Sequence, residues 1–371
     1  MSDLETRNLD SEIRAFIKKF NAAPAPEKLF QSLAFKLFDY QFTRNENYRK
    51  FCLSEGRRPG GLVSWREIPA MPTIGFKELV LATFPIKNAA RIFKTSGTSS
   101  TKASADAPLR GAHFFDTLAL YEAAITPPFK AYLMVDAQDF SFFFLMSSPQ
   151  ESPDSSLSYM MGVVNKAFAG QKGKFYAKKG AIKNEALVAD LSRTRKKVFI
   201  LSTVFSLKSF LNFLKSKKRS FTLPKGSRLM ETGGFKGRVR EISKPRLYAE
   251  CEKRLGIDRH FCVSEYGMTE LSSQFYDTTL RDQFLKIKRK PFKEGPAWIR
   301  TLVIDPRSGR AAKKGRAGLL RHFDLANRGS VLAVQTEDIG RAVGDGFELL
   351  GRASGSELRG CSLNYEEFLN S

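Results

Sequence analysis

The chain has 371 residues, of which 42% are apolar and 27% charged, an ordinary globular composition that excludes bulk disorder. No apolar run reaches the roughly 18–20 residues that span a bilayer, and the acidic, polar N-terminus does not resemble a secretory signal. The four scattered cysteines form neither a disulfide framework nor a zinc spacing, so a reducing cytoplasm is the expected location.

Positive charge is concentrated in one stretch. The chain carries 61 Lys and Arg against 38 Asp and Glu, a net charge of +23. Residues 171–255 alone hold 23 basic and 6 acidic residues, and such a field attracts polyanions. Nucleic acid is disfavoured because no basic-aromatic module accompanies the charge. Three explanations of the charge stay open: a merely solvated surface, an acidic protein partner and a nucleotide substrate.

The first part of the chain, residues 1–60, predicts helices. Ile13, Phe16, Ile17 and Phe20 recur at helical spacing, and apolar residues continue that pattern between Leu29 and Phe38. From about Ala90 short apolar runs alternate with helical ones, which favours an α/β fold with layered, largely parallel sheets.

The elements predicted after residue 90 are as follows. Strands are predicted at Arg91–Phe93, Ser141–Met146, Val198–Val204, Arg228–Glu231 and Arg259–Val263, and helices at Phe114–Ile125, Phe205–Leu214 and Arg246–Leu255. After about Gly295 the pattern predicts only strands, at Trp298–Ile304, Gly318–Phe323, Val331–Gln335 and Phe347–Leu350. The chain therefore ends in a smaller β-rich subdomain.

The first candidate for chemistry is a Ser/Thr-rich loop directly after a predicted strand. It reads Thr95, Ser96, Gly97, Thr98, Ser99, Ser100, Thr101 and Lys102. A triphosphate needs several hydrogen-bond donors without bulky side chains, which the glycine, the hydroxyls and the backbone amides provide, and Lys102 adds a positive charge. The loop is not a Walker A motif, and such loops by themselves are more often only loops.

The second candidate follows the predicted strand Arg259–Val263. Tyr266, Gly267, Thr269 and Glu270 arrive together at its carboxyl end, where open α/β sheets bind ligands. The tyrosine ring suits a nucleobase, the threonine hydroxyl suits a phosphate, and the Glu270 carboxylate suits Mg²⁺. By itself, a tight turn with a helix-capping Thr and Glu is the commoner explanation.

The third candidate is Asp338, within Thr336–Gly340, followed by Arg352. An acidic residue next to a strand can bind the two hydroxyls of a ribose, although an exposed aspartate in a turn is more common. Each of the three motifs is weak singly, and their order along the chain is what points to ATP. The three histidines, His113, His260 and His322, are too dispersed for a metal site or a triad, so no role is assigned to them.

The order of these motifs resembles the adenylate-forming superfamily of acyl-CoA synthetases, luciferases and peptide-synthetase adenylation domains. Within it, the chain is most similar to the acyl-protein synthetases of the bacterial bioluminescence fatty acid reductase complex. The Met230–Lys236 segment, the wording Tyr-Gly-Met-Thr-Glu and the ending Leu358–Leu363 carry that similarity. It extends from about residue 90 to residue 371.

The sequence pattern predicts a domain layout, and the resemblance implies a site. We expect an N-terminal helical segment over residues 1–90 packed on the core, an α/β nucleotide-binding core over 91–295, a β-rich subdomain over 296–350 and a vestigial tail over 351–371. The implied site residues are grouped by ligand: Thr95–Lys102 for the β- and γ-phosphates, Gly233, Gly234 and Tyr266 for adenine, Thr269 for the α-phosphate, Glu270 for Mg²⁺, and Asp338 with Arg352 for ribose. The implied product is an acyl-adenylate.

The chain departs from the superfamily after Arg352, because only 19 residues follow it. A C-terminal lid domain with its catalytic lysine is therefore expected to be nearly absent, which disfavours a CoA ligase. The resemblance to acyl-protein synthetases instead implies that Cys361 accepts the acyl group as a thioester and passes it to a reductase subunit. A second possibility is a ligase that loads an acyl carrier protein, and a third is an inactive adenylate-fold binding subunit. The high phenylalanine content, 32 residues, favours a fatty or other apolar acid.

Overall fold

The computed structural model describes residues 2–95, 110–178, 180–233 and 243–353. The helices are α1 (Ser2–Lys19), α2 (Glu27–Arg44), α3 (Glu46–Ser54), α4 (Gly75–Glu78), α5 (Ala119–Leu133), α6 (Ser156–Ala169), α7 (Asn184–Arg193), α8 (Val204–Ser216), α9 (Lys244–Leu255) and α10 (Thr279–Phe284). No helix in the described part of the chain is both long and apolar enough to cross a membrane.

The strands follow the same chain order. They are β1 (Met71–Pro72), β2 (Arg91–Lys94), β3 (Ala112–Phe115), β4 (Ser141–Leu145), β5 (Lys174–Phe175), β6 (Ala177–Lys178), β7 (Ala181–Ile182), β8 (Val198–Thr203), β9 (Arg228–Thr232), β10 (Cys262–Tyr266), β11 (Phe275–Asp277), β12 (Lys293–Glu294), β13 (Ile299–Ile304), β14 (Ala317–Asp324), β15 (Ala333–Val343) and β16 (Gly346–Arg352).

The chain forms two compact units. The first consists of Met1–Ala124, Met268–Gln274 and Phe292–Ser371, and the second of Ile125–Gly267 and Phe275–Pro291. The domain boundaries inferred from sequence, at residues 90, 295 and 350, stay predictions.

The first unit combines helices α1 to α4 with an antiparallel sheet. The predicted apolar stripe of α1 is buried at Ile13, Phe16 and Ile17, and Asn45 caps α3 by accepting a hydrogen bond from the Tyr48 amide. The sheet runs in the order β13-β14-β15-β16-β12, and β1 joins β15 in parallel. The two strands β2 and β3 form a separate antiparallel hairpin.

The second unit is built on a largely parallel sheet. Its strand order is β11-β10-β9-β8-β4-β5, in which β10, β9, β8, β4 and β5 run parallel and β11 is antiparallel. Strands β9 and β10 are buried along their whole length, as expected of parallel strands covered on both faces. Helices α7, α8 and α9 supply Leu187, Leu207 and Leu247 to the core beneath the sheet.

Most predicted elements are confirmed to within two residues at each end, and three differ by more. The predicted strand Val331–Gln335 extends to Val343 as β15. Phe114 and Phe115 belong to β3 rather than to a helix, because they pair with β2, and the helix begins only at Ala119. Residues Arg259–Phe261 form a single 3-10 turn, since the Asp258 side chain accepts a hydrogen bond from the His260 amide. The strand therefore begins at Cys262 and ends at Tyr266.

Candidate active site

In the second unit, two predicted site residues lie side by side at the carboxyl ends of neighbouring parallel strands. Thr232 of β9 lies opposite Glu265 of β10, so the residues that follow, Gly233 and Tyr266, are adjacent. The Thr232 hydroxyl donates to the Glu265 carboxylate and fastens the two strand ends together. Gly267 comes next and is exposed.

Gly233 has the geometry of a glycine that a ligand can approach. Its φ of +81° lies in the left-handed region that favours glycine. A side chain added at this position would meet no described heavy atom within 4 Å. The position therefore offers open backbone beside Tyr266, whose ring lies 5.8 Å from that of Phe275. Gly234, predicted to line the same ligand, lies outside the described residues.

A buried polar network holds the ends of β9 and β10 against α9. Glu231 is fully buried and accepts a hydrogen bond of 2.8 Å from the Tyr248 hydroxyl. The Lys244 ammonium lies 3.4 Å from the same Glu231 oxygen and donates to the Ser264 hydroxyl. Burial, with the negative Glu231 beside it, raises the pKa of Tyr248 well above its usual value. This network lies directly before Gly233 and Tyr266 along both strands.

In the first unit, the base of the predicted phosphate loop is a β-hairpin. Strands β2 and β3 pair up to Lys94 and Ala112. The Thr95 amide then donates to the Gly111 carbonyl at 2.8 Å, and Arg110 Nε donates to the Thr95 carbonyl at 2.6 Å. Thr95 is thus fixed at the mouth of the loop. Ser96, Gly97, Thr98, Ser99, Ser100, Thr101 and Lys102 lie outside the described residues.

The same hairpin holds the segment that carries Thr269 and Glu270. His113 of β3 is buried, and its Nδ1 lies 2.7 Å from the Thr269 carbonyl oxygen. Burial lowers the pKa of His113 to about 4, so the ring is neutral at pH 7 and its Nδ1–H is the donor. On the next residue, Asn327 Nδ2 donates to the Glu270 carbonyl at 2.8 Å. Two consecutive carbonyls are therefore fixed, which orients the Thr269 and Glu270 side chains.

Behind this segment lies a buried aspartate. Asp324 accepts hydrogen bonds from the Ser272 and Ser273 amides, at 3.0 and 2.8 Å, and from the Ser273 hydroxyl at 2.8 Å. Complete burial raises the pKa of Asp324 to about 6, although these donors and the Ala326 amide act in the opposite direction. The contacts hold the chain immediately after Glu270, so the turn is supported on both sides.

Asp338 and Arg352 lie opposite each other on β15 and β16. Arg352 Nε is 3.6 Å from Asp338 Oδ1, and Arg352 Nη2 is 3.3 Å from a Glu337 oxygen. The Asp338 amide donates to the Thr336 hydroxyl at 3.1 Å. The predicted ribose pair is thus a cross-strand ion pair inside a sheet, and Asp338 lies within a strand rather than in a turn.

The described residues could bind Mg²⁺ only together with waters and substrate phosphates, and not in a site made of protein side chains alone. Among them, no group of three or more His, Cys, Asp or Glu side chains is arranged to hold a metal ion. Mg²⁺ needs no such cage, because it is usually held by one or two carboxylates together with waters and substrate phosphates. The mostly buried Glu270 is a suitable oxygen ligand of that kind.

The cysteines in the described part of the chain are unsuited to nucleophilic chemistry. Cys52, Cys251 and Cys262 are free and buried, and burial raises the pKa of Cys52 to about 12. The pKa of Cys262 is also well above its usual value, because Cys251 and burial both favour its neutral form. Thiols in such surroundings are inert. Cys361, the predicted acyl acceptor, lies outside the described residues.

The structure thus brings together Gly233 with Tyr266, and Asp338 with Arg352. Through His113 it also joins the hairpin that ends at Thr95 to the Thr269 segment. The sequence missed the supporting residues, above all His113, Asn327 and Asp324. They contact their partners across 156, 57 and 51 residues of chain respectively. Spacing along the sequence could not have revealed such long-range contacts.

Known proteins resemble this chain in sequence. Residues 183–370, half of the chain, match the family model described as acyl-protein synthetase, LuxE. A long-chain-fatty-acid–luciferin-component ligase from Aliivibrio fischeri is 20% identical over 321 residues, covering 85% of this chain and 79% of that protein. A protein of the same name from Vibrio harveyi is 20% identical over 346 residues, covering 89% of this chain and 85% of that protein.

Solved structures share the fold. An open conformation of a 2-hydroxyisobutyryl-CoA ligase has a TM-score of 0.63 at 15% identity and covers 89% of this chain and 76% of that one. The same ligase in its postadenylation state has a TM-score of 0.64 at 15% identity, covering 89% and 68% of the two chains. The fold is therefore that of adenylate-forming enzymes. Together with the family match, this shows that the chain belongs to the acyl-protein synthetase (LuxE) family of ligases.

Proposed function

We propose that this protein activates a fatty or other apolar carboxylic acid with ATP and transfers the acyl group through Cys361 to a partner protein. The observation that carries the proposal is the Thr269–Glu270 segment, held by His113 on the hairpin that leads into the Ser/Thr-rich loop. A hydroxyl, a carboxylate and a donor-rich loop are the groups that a triphosphate and its metal require.

In the first step, a carboxylate oxygen of the acid attacks the α-phosphorus of ATP. The new bond is the mixed anhydride of acyl-AMP, and the bond to the bridging oxygen breaks, so pyrophosphate leaves. Thr269 donates to the α-phosphate, and Thr95–Lys102 bind the β- and γ-phosphates. Glu270 would hold Mg²⁺, which would supply electrostatic stabilisation of the leaving pyrophosphate. The site works by positioning and charge rather than by acid–base chemistry.

Adenine is bound by backbone groups, and ribose is bound by the Asp338 carboxylate. Gly233 presents open backbone to adenine beside the Tyr266 ring, and Gly234 is assigned to the same base. Asp338 accepts hydrogen bonds from the ribose hydroxyls, and Arg352, 3.6 Å away, holds its carboxylate in place. A carboxylate that is already fixed in place loses less entropy when it binds the sugar.

In the second step, the Cys361 thiolate attacks the acyl carbon of acyl-AMP, the carbon–oxygen bond to phosphate breaks, and AMP leaves. The inert surroundings of Cys52, Cys251 and Cys262 support this assignment, because they leave Cys361 as the only other thiol in the sequence. The relatives named as long-chain-fatty-acid ligases favour a long-chain acid as substrate. The acceptor after Cys361 is a reductase subunit or an acyl carrier protein.

Trapping the acyl group on the protein tests the proposal. Wild-type protein incubated with ATP, Mg²⁺ and a radiolabelled long-chain fatty acid is expected to carry label that neutral hydroxylamine removes, as it does from thioesters. Cys361→Ser should lose the label while keeping acid-dependent pyrophosphate exchange. Cys251→Ala, which removes a thiol already inert, is the control and should keep both. Label retained in Cys361→Ser would remove this residue from the mechanism.

A further inference from the structure

The second unit has two chemically different sheet edges. Strands β4, β8, β9 and β10 run parallel, so their amino ends share one edge and their carboxyl ends the other. Residues 194–197 enter β8 and residues 215–225 lead from the last turn of α8 into β9, and both segments therefore lie at the amino edge. We call these two segments together the basic edge. Gly233 and Tyr266 lie at the opposite, carboxyl edge.

The basic edge carries eight basic residues and no acidic residue. Arg195, Lys217, Lys218 and Arg219 are exposed. Within the described part of the chain, neither Lys217, Lys218 nor Arg219 forms an ion pair with a carboxylate. Their charge is therefore left to solvent and counterions, and a field of this kind attracts acidic partners and speeds their encounter.

The two segments of the basic edge form one continuous surface. The aliphatic part of Lys197 lies beside Gly226, at 3.4 Å from where a side chain would begin, and this joins residues 194–197 to the end of the second segment. The Phe221 amide donates to the Arg254 carbonyl at 2.8 Å, which adds the basic last turn of α9. The two segments and the last turn of α9 thus form one continuous surface.

The position of the basic edge in the sheet favours a partner protein over the nucleotide substrate as the group that its charge attracts. Strand β9 has five residues, about 16 Å at roughly 3.3 Å per residue, and it separates the basic edge from Gly233. In water with physiological salt, exposed charges are screened over about 8 Å. The eight charges therefore lie too far from the nucleotide end of the sheet to hold phosphates there.

A cleft next to the basic edge favours a protein as the partner. It has a volume of about 510 Å³ and is lined by Phe140, Phe142 and Phe168 as well as by Lys196. Lys196 belongs to the basic edge and also pairs with Asp139, 3.0 Å away, at the rim of the cleft. An aromatic cleft beside a charged rim is the arrangement that anchors protein side chains.

We propose that the basic edge docks an acidic protein surface, that of the protein which takes the acyl group. This inference rests on the proposed function, because it assigns the docking surface of the protein that takes the acyl group from Cys361. Docking at the amino edge leaves the carboxyl edge free for ATP and the acid. The acceptor is then held by a surface that is separate from the residues of the chemistry.

A matched pair of charge reversals tests the inference. The first variant is Lys217→Glu with Lys218→Glu and Arg219→Glu. The control is Lys313→Glu with Lys314→Glu and Arg316→Glu, an exposed turn of the first unit with the same residue types and the same change in charge. Binding of a fluorescent poly-glutamate peptide and of a DNA duplex is measured at several salt concentrations. Pyrophosphate exchange is measured in both variants.

The basic-edge variant should bind poly-glutamate at least about tenfold more weakly than wild type, since close charge pairs at protein interfaces are strongly coupled, whereas the control should stay within about twofold. Exchange should be unchanged in both, so a loss of exchange would concern the proposed function and not the docking surface. Equal weakening in the two variants would overturn the inference in favour of net charge alone. Loss of DNA binding with poly-glutamate binding retained would assign the surface to nucleic acid.

Discussion

Replacing His113 with Phe isolates one hydrogen bond next to the proposed catalytic segment. The His113 ring lies 5.7 Å from the Phe76 ring and 4.2 Å from the Phe115 ring, so a phenyl ring keeps much of this packing. What is lost is the Nδ1–H donor to the Thr269 carbonyl. A buried acceptor left without a partner costs about 1–3 kcal/mol. We expect His113→Phe to lower the free energy of unfolding by about that amount.

The same change should also reduce activity, because the carbonyl it releases orients Thr269 and Glu270. A loss of about 1.4 kcal/mol of positioning in the transition state is a tenfold loss in rate. His113→Asn is the matched variant: its side-chain amide keeps a donor near the position of Nδ1 but removes the ring. His113→Asn should therefore retain more pyrophosphate exchange than His113→Phe, even where it is less stable in urea. A His113→Phe protein with wild-type exchange and a wild-type urea midpoint would refute this reasoning.

Three further predictions concern stability and ribose binding. Arg328→Met should lower the free energy of unfolding in urea by about 3–5 kcal/mol, because the buried guanidinium is bonded to both Asp10 and Asp116. A loss smaller than that of a single surface ion pair would contradict this prediction. The folded-state pKa of His322 is lowered by burial to about 3, below its unfolded value of about 6.5, so its contribution is complete above pH 6.5 and is lost as the pH falls toward 3. His322→Gln should therefore flatten the decline in urea stability below pH 6.5 by about 1.4 kcal/mol per pH unit, whereas an unchanged slope would show that the ring is not buried in its neutral form. Asp338→Ala should raise the KM for ATP about tenfold, as expected for the loss of a hydrogen bond to a charged group, and should leave the urea unfolding midpoint nearly unchanged. An unaltered KM would remove Asp338 from the ribose site.

The sequence predicted most of the strands and helices of this fold. Apolar runs such as SFFFLM and VFILST correspond to β4 and β8, because strands buried on both faces must be apolar throughout. The pattern failed at Phe114 and Phe115, where the pairing of β3 with β2 prevails over a helix-like local pattern. Local spacing carries no information about a partner strand that lies elsewhere in the chain.

Site residues that belong to a sequence motif could be predicted, whereas the residues that hold them in place through long-range contacts could not. Tyr266, Glu270 and Asp338 were found from their order, whereas His113 was dismissed as a dispersed histidine. Its role depends on a contact with Thr269 across 156 residues. Likewise, the excess of basic residues was visible in the sequence, but its place on the amino edge of the sheet follows only from the direction of the parallel strands.

The central claim is that ATP reacts with a carboxylic acid at the Thr269–Glu270 segment. The most direct measurement is the exchange of labelled pyrophosphate into ATP, with a panel of short- and long-chain acids, in wild type and in Glu270→Gln. We predict exchange that requires an acid, is fastest with long-chain acids and falls by about a hundredfold or more in Glu270→Gln, since that variant loses the metal-binding charge. No exchange with any acid, or the same exchange in both proteins, would contradict the account.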